Sequence, residues 1–132
     1  MRLLTIMILA IVSGVPAASA YECKDQTQSG LDVCADANFQ KADAALNTTY
    51  KEIVRRLKDD AATTKLLITA QKAWLAYRDA ECTFSSSANA GGSIYPMVYA
   101  ICLEEVTRQR TKALSVFLKC GDGDTGCPVP AP

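Results

Sequence analysis

The sequence predicts an all-α domain, an antiparallel bundle of three main helices stapled by disulfides. Three observations carry that expectation. Apolar residues recur at alternating steps of three and four through three long stretches, the period of a helix with one buried face. No strand-like alternation of useful length interrupts them. Six cysteines, an even number, sit beyond the first twenty residues, which suits covalent cross-links in an exported chain.

The N-terminal segment stands apart from the fold. Arg2 opens it, Leu3 to Val15 is apolar apart from Thr5, Ser13 and Gly14, and Ala18-Ser19-Ala20 closes it. That is the pattern of a secretory signal cleaved after Ala20. The apolar run is too short for a comfortable membrane span, which takes roughly 20 apolar residues. Tyr21 and Glu22 separate Cys23 from the cleavage point, so a lipid-anchored start is not expected. The division along the chain is therefore a signal peptide at 1–20, a helical domain at 21–120 and an irregular tail at 121–132.

Removing 20 of the 132 residues leaves 112, enough for one compact domain. The removed part contains Arg2, so 13 Lys and Arg then face 14 Asp and Glu. A balance this near neutrality does not call for nucleic acid or an anionic membrane surface.

The first helix is expected to begin at Ser29, with Ser29 and Asp32 as a capping box. Its buried stripe is Ala35, Phe39, Ala42, Leu46, Tyr50, Ile53 and Leu57, and Glu52 and Arg56 form a pair four apart. Asp59-Asp60 marks the break. The second helix runs from about Thr63 to Ser85, with Leu67, Ala70, Trp74, Tyr77 and Cys82 on the buried side. The small polar run from Ser85 to Gly92 ends it, its serines read as solvated loop residues. Ser93 is expected to cap the third helix, with Pro96 in its first turn. Val98 or Met97, Ile101 or Cys102, Val106, Ala113 or Leu114, and Phe117 mark its stripe, and it ends near Lys119.

Many pairings are open to six cysteines. Order along the chain favours Cys23–Cys34, Cys82–Cys102 and Cys120–Cys127, each closing a short loop rich in turn-forming residues. The tail is then held by Cys120–Cys127 alone, and 83–101 becomes a rigid loop. There is no histidine and no Cys-x-x-Cys, so zinc binding and any other cofactor are not expected.

Catalysis finds little support. The commonest general acid or base is missing, and oxidised cysteines cannot act as thiolates. Glu104 and Glu105 are neighbours on a helix and point apart, unlike a glycosidase pair facing across a cleft. Asp122-Gly123-Asp124 lacks the further ligands of a calcium loop. Asn47-Thr48-Thr49 matches a glycosylation triplet, yet it falls on an expected helix. Two polar features stand out instead. Trp74, Arg78 and Asp79 share the middle of the second helix and suit an internal network. Asn89, Gly91, Gly92, Ser93 and Tyr95 form a constrained loop that serves as a turn or as a recognition surface.

Cys34, Ala42-Asp43, Leu46-Asn47 and Tyr50, the block from Ala70-Gln71 through Trp74 and Arg78 to Cys82, then Gly91-Gly92-Ser93, Cys102, Thr107, Arg110 and Leu114 together resemble the lysozyme-inhibitor LprI N-terminal domain family. The resemblance covers nearly all of the mature chain. It adds Asn47, Thr107 and Arg110 to the polar core of Trp74, Arg78 and Asp79. It implies a periplasmic or secreted protein that binds a lysozyme or a related glycan hydrolase and blocks it. The chain lacks the lipobox of the family's namesake. It also lacks the Ser-Gly-x-x-Tyr motif of β-barrel lysozyme inhibitors, since Ser29-Gly30 has no tyrosine at the required place. A non-catalytic interaction or structural module of the envelope is the alternative. The expected partner is a protein, with lysozyme the candidate, and the second reading also admits a glycan. The mature chain is expected to have no membrane anchor.

Overall fold

A computed structural model describes residues 23–132, which form three α-helices and a single 3-10 turn. The expected cleavage after Ala20 lies outside the described residues. Helix α1 spans Gln28–Arg56, α2 spans Ala61–Ser85 and α3 spans Tyr95–Phe117. The chain runs up, down and up, and α1 and α3 form the most extensive packing pair.

Local chemistry sets the helix ends. Thr27, not Ser29, caps α1: its hydroxyl accepts from the Gly30 N–H at 3.1 Å. Asp32 is taken instead by the Gln28 side-chain amide at 2.8 Å. Either hydroxyl residue suits a cap, and the Asp25 side chain decides between them by accepting from the Thr27 N–H at 2.9 Å. Four residues connect α1 to α2, and Asp60 caps α2 by accepting from Thr63 N–H at 2.9 Å. That bond holds the Asp60 carboxyl below its ordinary pKa. Helix α3 begins at Tyr95 with Pro96 in its first turn, but Ile94 occupies the cap position and Ser93 makes no side-chain cap. Proline there needs no N–H partner.

The main core lies where the end of α1, the start of α2 and the end of α3 meet. Leu46, Ile53, Leu57 and Leu114 are buried together, with Tyr50, Leu67, Trp74 and Phe117 packed around them. Val129 completes this cluster at 4% exposure. The tail is therefore held by more than its disulfide, because one apolar side chain plugs the open end of the bundle. Arg56 adds a further tie. Its guanidinium donates to the Leu118 carbonyl at 3.1 Å and pairs with Glu52 at 3.0 Å. Arg55 also binds Glu52, and these hydrogen bonds, Arg55 foremost, lower the Glu52 pKa to about 2.

Helix α2 departs from the expected orientation. Leu67 and Trp74 do face the bundle, but Ala70 and Tyr77 point to solvent. Cys82 is its fully buried residue. The inward side of α2 also carries Gln71, Arg78 and Glu81, all half-buried. Polar residues turn inward here because the neighbouring helices supply partners for them. Three disulfides, Cys23–Cys34, Cys82–Cys102 and Cys120–Cys127, join the pairs that cysteine order favours, with Cα–Cα distances of 5.9, 5.5 and 6.1 Å. Among the described residues no helix is long and apolar enough to cross a membrane.

Candidate functional site

Two constellations carry the chemistry-bearing residues, and they do different things. The first is a brace across all three helices. Arg78 lies between the rings of Phe39 on α1 and Trp74 on α2, with its guanidinium carbon 5.4 Å from each centroid. It pairs with Asp79 at 2.8 Å and reaches Asp43 on α1 at 3.7 Å. Asn47, itself exposed, donates to the other Asp43 oxygen at 2.9 Å. Arg110 of α3 also lies over Trp74, its guanidinium carbon 5.9 Å from the ring centroid, and donates to the Gln71 oxygen at 3.0 Å. Burial lowers the Arg110 pKa. A guanidinium stacks on a flat ring while its edge donates to a carboxylate or an amide. One tryptophan can therefore take a guanidinium from its own helix and another from α3.

Five of the six residues expected in a polar core, Asn47, Trp74, Arg78, Asp79 and Arg110, thus belong to one connected set. Thr107 does not join it. It is fully buried, and its Oγ1 has no hydrogen-bond partner.

The second constellation is the segment between α2 and α3. It is built from overlapping turns. Ser86 ends α2, its hydroxyl donating to the Cys82 carbonyl at 2.6 Å, and it is wholly buried. Only its neighbours Ser85 and Ser87 are the exposed loop serines the sequence suggests. Ser87–Asn89 forms one 3-10 turn. The N–H groups of Asn89, Gly92 and Tyr95 then donate in succession to the carbonyls of Ser86, Asn89 and Gly92. Gly91 has φ +76°, and nothing lies within 4 Å of the place a Cβ would occupy. Its glycine therefore serves the left-handed backbone and not a tight fit.

The Cys82–Cys102 bond closes this segment at its base. Gly91, Gly92 and Ser93 are exposed at its tip, while Asn89 and Tyr95 are half-buried. Tyr95 stacks on Tyr99 one turn along α3, with centroids 5.8 Å apart. The structure adds two exposed apolar neighbours in sequence, Phe84 and Ile94. A signal for this surface exists: no Asp, Glu, Lys or Arg occurs between Glu81 and Glu104.

Two clefts lie elsewhere. One of about 270 Å³ runs between α1 and α2 beside Tyr50, Ile68 and Leu75. The other, about 430 Å³, lies between α1 and α3 under Lys41, Arg108 and Lys112. Neither of these two includes a residue of the 86–94 segment. Among the described residues no cluster of three or more His, Cys, Asp or Glu side chains is placed to hold a metal ion.

The family model described as lysozyme inhibitor LprI matches residues 19–114. The chain belongs to the LprI lysozyme-inhibitor family. An uncharacterized protein of Rhizobium meliloti (strain 1021) is 37% identical over 110 residues, covering 75% of this chain and 79% of that protein. The crystal structure of a DUF1311 family protein from Pseudomonas putida KT2440 has the same fold, with a TM-score of 0.62 at 26% identity. It covers 71% of this chain and 93% of that one. For an LprI-family chain, three disulfides fit an oxidising compartment outside the cytoplasm.

Proposed function

We propose that this LprI-family protein is a periplasmic or secreted inhibitor of a lysozyme-type glycan hydrolase, and that the 86–95 loop is its contact surface. It acts as a plug and not as a catalyst. The observation that carries the reading is the combination of an exposed, charge-free loop with a disulfide and a run of backbone hydrogen bonds at its base.

A lysozyme cleft binds a sugar chain and works through two carboxylates. A segment entering such a cleft gains by offering hydroxyl and amide groups, as a saccharide does. It also avoids bringing a carboxylate of its own beside the catalytic pair. Asn89, Ser93 and the exposed backbone at Gly91 and Gly92 supply hydrogen-bonding groups, and Tyr95 supplies a rigid aromatic anchor. Closure by Cys82–Cys102 means little ordering remains to be done on binding.

The test is lysis of a peptidoglycan substrate by several lysozyme types with excess purified protein. Inhibition of at least one type at micromolar protein is expected, and Tyr95→Ala should weaken it at least tenfold. No inhibition of any type sinks the reading.

An envelope interaction module is the second reading, favoured by the purely internal use of Trp74 and Arg78. It predicts recovery of one endogenous periplasmic protein on the oxidised chain, with lysozyme activity untouched.

A further inference from the structure

The cleft between α1 and α3 gathers positive charge that neither the brace nor the loop uses. Its volume is about 430 Å³, within the range of small-ligand pockets, roughly 300–1,000 Å³. Lys41 lines it from α1, and Arg108, Thr111, Lys112 and Ser115 line it from α3. Three of these side chains are cations and none is a carboxylate. Among the described residues Lys41 and Lys112 have no acidic partner. Arg108 has one, Glu104, to which its Nε donates at 2.7 Å. Glu104 is buried at 4% exposure, while the Arg108 side chain is 64% exposed. That bond anchors the guanidinium by its Nε, and its two terminal nitrogens have no hydrogen-bond partner among the described residues.

Helix stability does not account for this gathering. Arg108 and Lys112 stand four apart on α3, a spacing at which like charges destabilise a helix. Both precede the last turn of α3, which ends at Phe117, so they gain little from the dipole at its C-terminus. From Val106 to Gly121 the chain holds no Asp or Glu to offset them. A bound anion would relieve that repulsion. The rest of the lining narrows the kind of anion. The Thr111 and Ser115 hydroxyls donate to the carbonyls of Thr107 and Lys112 at 3.0 and 2.8 Å. Their remaining lone pairs accept from a ligand, and a fully ionised inorganic anion has no proton to give them. Ala42, Ala45 and the aliphatic stems of the two lysines add apolar surface.

We infer that this cleft binds an anionic saccharide, its carboxylate or phosphate held by Lys41, Lys112 and the terminal nitrogens of Arg108. Charge-assisted hydrogen bonds to the acidic group supply most of the affinity. Sugar hydroxyls donate to Thr111 and Ser115, and the C–H face of the ring rests on the alanines. Each requirement removes a class of ligand: a neutral sugar lacks the charge, and a bare anion lacks the body and the donors. The cleft shares no residue with the 86–95 loop, so this binding is independent of inhibition through that loop.

Titration of the oxidised protein with glucuronate, a glucose phosphate, glucose and sulfate, followed by amide NMR shifts, tests this. Glucuronate or the glucose phosphate should move amides at 41–45 and 108–115, with half-saturation at about 1 mM. The tighter of the two tells whether the acidic group is a carboxylate or a phosphate. Glucose and sulfate should bind at least tenfold more weakly. Lys41→Gln with Lys112→Gln should weaken binding at least tenfold at unchanged helix content. The same loss of charge at Lys51 and Lys65, exposed lysines outside the cleft, should leave binding as it was. Arg108 stays in place, because its removal would strand the buried Glu104. Absence of saturable shifts at the cleft with both acidic sugars overturns the proposal. Sulfate binding as tight as theirs, which marks an adventitious ion only, overturns it too, as does equal binding by the two double variants.

Discussion

Compare the two ends of the bundle. Where α1 leads into α2, Leu46, Ile53, Leu57, Leu114 and Val129 exclude water together. Where α2 leads into α3, the buried residues are mostly smaller or polar, Ala35, Cys82, Ser86, Ala100 and Glu104, with Leu103 the large apolar side chain among them. The first end gains its stability from apolar area removed from water. The second has less of it, and a disulfide and a run of turn hydrogen bonds make up the difference. The difference explains how a small domain presents a polar, charge-free loop without losing its shape. The stabilising area is placed away from the loop, and the loop is fixed covalently.

This contrast can be broken at either end. Leu46→Ala removes one of the large buried side chains of the apolar cluster and should cost about 4 kcal/mol, read by chemical denaturation, through lost burial and the cavity left behind. Replacing Cys82 and Cys102 together by alanine should cost about 3 kcal/mol. It should also raise amide exchange at 86–94 while leaving protection around Ile53 high. Equal loss of protection at both ends would show that the two ends are not held separately. Val129→Ala should cost about 2 kcal/mol, although the residue lies in an irregular tail. Thr107→Val should be neutral or stabilising by up to about 1 kcal/mol, since it removes a buried hydroxyl that has no partner.

How much of this was legible in the sequence differs along the same axis. The α1 stripe was readable because its apolar residues keep a strict period and pack mainly against α3. The face of α2 was not. Both of its sides carry apolar residues, and the side with Gln71 and Arg78 turns inward because Phe39, Asp43 and Trp74 offer it stacking and charge. Binary patterning therefore pointed Ala70 and Tyr77 the wrong way. Val129 was invisible because a tail of glycines and prolines has no period to mark its one buried residue. Burial of Ser86 among exposed serines depends on where the helix ends, and composition does not report that. The loop residues Asn89, Gly91, Gly92, Ser93 and Tyr95 were found by turn chemistry, but the exposure of Phe84 and Ile94 beside them needed coordinates.

The most direct measurement is a titration of lysozyme activity with the oxidised protein and with its Tyr95→Ala variant, both shown by circular dichroism to be equally folded. The account predicts saturable inhibition by the parent chain at micromolar concentration and at least a tenfold weaker effect for the variant. Equal inhibition by the two proteins, or none by either against every lysozyme type, would contradict it.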